Sequence, residues 1–221
     1  MDYNALNDRI TAAGATLVAV SKTHPEAAVR KLYEQGQRDF GENRVKEAEQ
    51  KAAALPADIR WHFIGHLQTN KVKYLAPFIH LIHAVDSERL LEEIDKQAAS
   101  NDRTIDVLLQ VKIAREDSKY GLSPADLRTL AADYLAADYR HARVVGLMGM
   151  GTFTQDEAVT RAEFERLQKI FEELRSGPFA GRPEFRELSA GMSGDFLIAL
   201  EHGSTLVRIG SLLFGEREYR K

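Results

Sequence analysis

Short apolar segments alternate with helix-like segments along this 221-residue chain, and that alternation narrows the possible folds more than any other feature. After an opening helical stretch (3–13), strand-like runs stand at 16–21, 38–43, 59–65, 80–86, 105–113, 142–150 and 184–190. An eighth begins at 205 and runs into a short last element ending at 215. Helix signals separate them. Pro25 opens one helix and Gly36 stops it. Pro56 closes the next. Thr69 and Ser87 stand where N-caps are wanted, and Ser123-Pro124 pairs a cap with a first-turn proline. The stretch 156–176 puts Phe164, Leu167, Ile170, Phe171 and Leu174 on one helical face.

Regular strand–helix alternation specifies a parallel sheet with right-handed crossovers. Eight such units favour closure into a (β/α)8 TIM barrel. The competing open, doubly wound sheet would carry G-x-G-x-x-G after its first strand, and none follows residue 21. No linker, low-complexity segment or shift of composition divides the chain, so residues 1–221 are expected to form one α/β barrel domain.

Several chemistries are excluded early. The chain has no cysteine, which rules out disulfides, thiolate nucleophiles and cysteine-based zinc sites. Thirty basic residues stand against 33 acidic ones, with no basic concentration of the kind nucleic acids or anionic membranes attract. The first ten residues are polar, unlike a signal peptide, and no apolar run approaches the roughly 20 residues a membrane span needs. A cytoplasmic protein is expected. His62, His66, His80 and His83 lack a carboxylate completing a ligand set, so no metal is expected.

In a (β/α)8 barrel the chemistry sits at the C-terminal ends of the strands. Lys22 stands at the first of these ends, in VAVSKTHP. A lysine partly desolvated there can become a free amine and attack a carbonyl, although a plain loop lysine fits the position too. The ends of the seventh and eighth strands, where such barrels build phosphate sites, carry LSAGMSGD and RIGS. Ser189 and Ser193 supply hydroxyls, Gly191 and Gly194 flexibility, and the start of the next helix N–H groups for an anion, while Gly210 allows close backbone approach and Ser211 adds another N–H and a hydroxyl. Arg208, just before them, is expected to point inward, either paired with a carboxylate such as Glu42 or Glu187 or donating to a ligand. A ligand bearing both a carbonyl and a phosphate would satisfy these positions together.

The stretches VAVSKTHP, FGENRVKEAEQK, WHFIGHLQTNK, DSKYGLS, GLMGM and LSAGMSGDFLIALEHGSTLVRIGSLLFGER follow one another over nearly the whole chain. In them the sequence resembles the pyridoxal phosphate homeostasis proteins, the YggS/PROSC family. The resemblance implies a single barrel similar to that of bacterial alanine racemases, with pyridoxal 5'-phosphate as cofactor. It implies that Lys22 holds the cofactor as an internal aldimine and that Asn43 lies near its ring. By the same likeness Ser189, Met192, Ser193, Gly210 and Ser211 belong to the phosphate site, and Arg208 faces the pyridine nitrogen. Ser211 stands where the family usually has threonine. Members are thought to bind and buffer the cofactor without an established catalytic activity.

Arg208 supports that expectation. Pyridoxal phosphate is a strong electron sink when its ring nitrogen is protonated, and an arginine cannot accept that proton. Racemisation would remain possible, with Lys22 as base on one face of the cofactor and Tyr74, Tyr120 or a histidine on the other. The eight units account for the chain, leaving no counterpart of the second domain that supplies this base in alanine racemases. The expected function is therefore a monomeric cofactor carrier serving enzymes that lack their cofactor. A racemase, and then a cofactor-free aldolase acting on sugar phosphates through Lys22, are the alternatives.

Overall fold

The computed structural model describes residues 2–114 and 120–215. Eight parallel strands form a closed barrel in chain order: β1 (Thr16–Val20), β2 (Asp39–Glu42), β3 (Arg60–Phe63), β4 (Leu81–Val85), β5 (Ile105–Val111), β6 (Ala142–Gly149), β7 (Glu187–Ser189) and β8 (Leu206–Ile209). The ring closes where β1 pairs with β8, with Val18 opposite Arg208. The predicted order and pairing of strands are therefore found. The strands are shorter than the apolar runs suggested because residues such as Ser21 and Asn43 already belong to the turns above them.

The helices are α1 (Tyr3–Ala12), α2 (Glu26–Glu34), α3 (Val45–Ala54), α4 (Val72–Leu75), α5 (Glu88–Ala99), α6 (Pro124–Ala136), α7 (Glu157–Ser176), α8 (Phe196–Glu201) and α9 (Ser211–Phe214). Strand alternation splits the core into two layers. Leu17, Ala19, Val207 and Ile209 face outward into the layer shared with the helices. Val18, Leu81, Leu108, Val145, Met148 and Leu206 fill the barrel interior. The five apolar residues anticipated on α7 are all buried in the outer layer. Each such side chain contributes about 1.5–3 kcal/mol by leaving water.

Helix starts follow the sequence less closely. Ser123 caps α6, accepting the Asp126 N–H at 3.1 Å. Ser87 occupies the cap position of α5 but makes no capping bond through its side chain. Thr69 is not a cap. It is the first residue of a single 3-10 turn, Thr69–Lys71, that leads into α4. Gly146 is required by barrel closure. A Cβ there would lie 1.7 Å from the Glu187 carbonyl oxygen, where β6 and β7 pair. No helix among the described residues is long and apolar enough to cross a membrane.

Candidate functional site

A cavity of about 960 Å³ opens among the residues that follow the strands' C-terminal ends. Seven of the eight residues singled out from sequence line it: Lys22, Asn43, Met192, Ser193, Arg208, Gly210 and Ser211. The eighth, Ser189, does not. It ends β7 inside the barrel, fully buried, where its hydroxyl oxygen accepts from Arg208 and lies 2.9 Å from His83 Nδ1. The expected phosphate-side hydroxyl is thus already committed within the protein.

Lys22 is presented on a turn that the structure restrains from both sides. The His24 N–H donates to the Ser21 carbonyl at 3.1 Å, closing the turn. Thr23 adopts φ 68°, a left-handed conformation that costs a non-glycine residue about 1–2 kcal/mol. A buried network compensates. Lys51 Nζ donates to the Ser21 carbonyl at 2.7 Å, to Glu42 Oε1 at 2.6 Å and to Glu47 Oε1 at 2.8 Å. The Ser21 hydroxyl donates to the same Glu42 oxygen, and the Thr23 N–H donates to Glu47 Oε1 at 2.6 Å. Burial pushes the Glu42 carboxyl up, against the pull of Lys51 and Ser21. The residues before and after Lys22 are therefore both tied, directly or through Glu47, to one buried ammonium group.

Arg208 faces the cavity from β8. One guanidinium nitrogen donates to Ser189 Oγ, and Nη2 donates to the Gly149 carbonyl at 3.0 Å. Neither suggested carboxylate pairs with it. Glu42 belongs to the Lys51 network, and Glu187 accepts from the Thr205 hydroxyl at 2.7 Å. Burial pulls Arg208 down to about 10, with Asp195 acting in the opposite sense. It remains a cation at neutral pH and can only donate.

The loops after β7 and β8 provide donors, though not all those anticipated. The Met192 N–H is taken by Asp195 Oδ1 at 2.6 Å, and the Gly210 N–H donates to Ser193 Oγ at 3.3 Å. The Ser193, Gly194 and Ser211 amides make no hydrogen bond among the described residues. With the Ser193 hydroxyl proton they form a cradle for an oxyanion. A Cβ at Gly194 would meet nothing within 4 Å, so the protein leaves that space open. Asn43 adds a second unsatisfied group, since its Oδ1 is buried without a hydrogen-bond partner. A buried polar atom left so costs about 1–3 kcal/mol unless a ligand meets it. Amine, oxyanion cradle, fixed cation and orphaned Asn43 atom suit a flat ligand with a carbonyl at one end and a phosphate at the other.

The histidines occupy different parts of the barrel. His66 lies at the rim, stacked on Tyr120 with ring centroids 4.4 Å apart. His62 and His83 are buried inside, His62 Nδ1 lying 2.9 Å from His83 Nε2. No three metal-ligating groups converge among the described residues. The polar loop at 115–121 lies mostly outside the described residues, as do Glu216 and Arg217 of the final motif.

His83 makes stability depend on pH. Burial holds it well below its ordinary value of 6.5, with His62, Arg208 and His80 adding to the effect. Below pH 6.5 the unfolded chain therefore binds a proton that the folded chain refuses. This contribution is complete above that value and is lost as pH falls, by about 1.4 kcal/mol per pH unit. The urea midpoint is expected to fall between pH 7 and pH 5. A His83→Gln protein should lose that part of the slope, and an unchanged slope would contradict the assignment.

The alanine racemase N-terminal domain family matches residues 2–218. A pyridoxal phosphate homeostasis protein from Aquifex aeolicus is 42% identical over 206 residues, covering 93% of this chain and 88% of its own. Among solved structures, PipY of Synechococcus elongatus PCC7942 without pyridoxal phosphate superposes with a TM-score of 0.88 at 37% identity, covering 96% of this chain and 97% of that one. The same protein with pyridoxal phosphate bound gives a TM-score of 0.82 at 38% identity, with coverages of 91% and 93%.

Proposed function

This chain belongs to the family of the pyridoxal phosphate homeostasis proteins, and from that membership we propose that it holds pyridoxal 5'-phosphate covalently on Lys22 and keeps it in reserve. The observation that carries the reading is the convergence of Lys22, the open amide cradle and Arg208 on one cavity. The cofactor supplies an aldehyde that condenses with an amine, and a phosphate that wants several donors. Lys22 offers the amine from a restrained turn. The Ser193 hydroxyl and the Ser193, Gly194 and Ser211 amides bind the phosphate, and Asn43 meets a polar group at the ring's edge.

Arg208 decides between storage and catalysis. It stays protonated at neutral pH and donates, so a ring nitrogen facing it remains unprotonated. That arrangement weakens the electron sink on which transamination and decarboxylation depend. Of the second bases considered for racemisation, neither Tyr74 nor Tyr120 lines the cavity, while a histidine, His24, does, stacked on Phe214 with ring centroids 4.8 Å apart. We infer a cytoplasmic monomer without catalytic activity of its own, releasing the cofactor to apo-enzymes that need it.

The test is spectroscopic. Purified protein mixed with pyridoxal phosphate should acquire a visible band that borohydride bleaches, leaving the label on Lys22 in peptide mass spectra. A protein that stays colourless, or is labelled elsewhere, would overturn the proposal. Ser193→Ala should keep the band but weaken affinity about tenfold or more, as expected for one lost bond to a charged group. Unchanged titration by equilibrium dialysis would remove Ser193 from the phosphate site.

A further inference from the structure

Arg208 is also the last member of a hydrogen-bonded chain that crosses the barrel interior. At the far end Asp39 lines a separate cavity of about 590 Å³ at the strands' N-terminal ends, where Arg60 Nε donates to its Oδ1 at 2.8 Å. His62 Nε2 lies 3.0 Å from the same carboxylate, and His62 Nδ1 lies 2.9 Å from His83 Nε2. His83 Nδ1 lies 2.9 Å from Ser189 Oγ, which accepts from Arg208. Asp39, His62, His83 and Ser189 are all buried, and none lines the rim cavity.

With both imidazoles neutral, the Asp39 end fixes the direction of every bond in the chain. Burial pushes Asp39 up, but the bonds from Arg60 and His62 outweigh it and hold the carboxyl well below its usual range. It is therefore an acceptor only. Arg208 is a donor only. With neutral imidazoles, one assignment satisfies each link. Arg208 donates to Ser189 Oγ, the Ser189 hydroxyl to His83 Nδ1, His83 Nε2–H to His62 Nδ1, and His62 Nε2–H to Asp39. Each middle group then gives one hydrogen bond and receives one. Ser189 cannot turn its proton toward Arg208, and its lone pairs stay aimed at the guanidinium.

We propose that Asp39, His62, His83 and Ser189 form a positioning relay that sets the orientation of Arg208 toward the bound cofactor from inside the barrel. The inference rests on the cofactor reading above. Its role is distinct from that of the rim residues, because these four side chains touch no ligand. His83 is its centre, since it supplies both an acceptor for Ser189 and a donor for His62. An aliphatic residue at 83 breaks both links, whereas a glutamine amide has one acceptor and one donor and can restore them.

The experiment combines two readouts. In cofactor-free protein, 15N spectra of the imidazoles should show His62 and His83 both carrying their proton on Nε2. In loaded protein, His83→Leu should shift the visible maximum and lower cofactor affinity about tenfold, the scale of one lost hydrogen bond, while Lys22 is still labelled. His83→Gln should restore both properties. Ser189→Ala, which cuts the last link with a smaller change of volume, should reproduce the leucine effect and serves if the leucine protein does not fold. A proton on Nδ1 of either histidine would overturn the relay. So would wild-type affinity and spectrum in both disrupted variants. Wild-type protein that takes up no cofactor would instead sink the cofactor reading, and the imidazole tautomers would still decide the direction of the chain.

Discussion

Lys22→Ala is expected to abolish covalent capture altogether, with the borohydride-fixed label falling to zero and the visible band replaced by that of free aldehyde. The cradle at 193–194 and 211 and the Arg208 guanidinium remain, so the cofactor should still associate without being attached. Lys22→Arg separates chemistry from charge, because a guanidinium keeps the positive charge yet cannot provide the neutral amine that condenses. Both variants should show the same loss. Thermal melts supply a second measure. A ligand at a hundred times its dissociation constant stabilises a folded protein by about 2.7 kcal/mol, and this increment should shrink sharply in either variant at the same cofactor concentration. Label retained in Lys22→Ala would mean that another amine is the acceptor.

Lys51→Met is expected to cost about 3–5 kcal/mol of folding stability, the usual range when one partner of a buried ion pair is removed. The Lys51 and Glu42 side chains are 5% and 1% exposed, so little solvent screens the carboxylates left behind. The same substitution releases the Ser21 carbonyl and loosens the turn that presents Lys22, so cofactor uptake should fall as well. A double variant, Lys51→Met with Glu42→Gln, removes the stranded charge and should recover part of the stability. Urea unfolding of the four proteins makes the cycle. If the double variant were no more stable than Lys51→Met alone, the buried charge would not be the source of the loss.

The barrel was legible in the sequence because its determinants are local and repeated. Each strand is an apolar run buried on both faces, and each crossover carries its own helix punctuation. Lys22, Ser193, Arg208 and Ser211 were legible for a related reason: counting strands places their ends at one mouth. Ser189 was misread because it shares the LSAGMSGD loop's composition while its side chain belongs to the interior. The Lys51 network and the His62–His83 chain could not be read at all from local pattern. Lys51 looks like any helix lysine until β2 and the turn at 21–24 are folded against it. His62 and His83 are 21 residues apart, and they meet because β3 and β4 pair in the register that sets His62 opposite Leu81. Their one sequence signal is a polar residue among the buried positions of these strands.

Closure of the strand ring governs how copies of the chain treat one another. An open sheet ends in strands whose N–H and C=O groups point outward unpaired and can template pairing with another molecule. Here β8 returns to β1, and the ring has no such strand. The backbone route to edge-to-edge aggregation is therefore shut without protective charges or prolines at a sheet border. Edge-to-edge strand pairing is thus one association route that the closed barrel does not offer, even with its chemically busy mouth open to solvent.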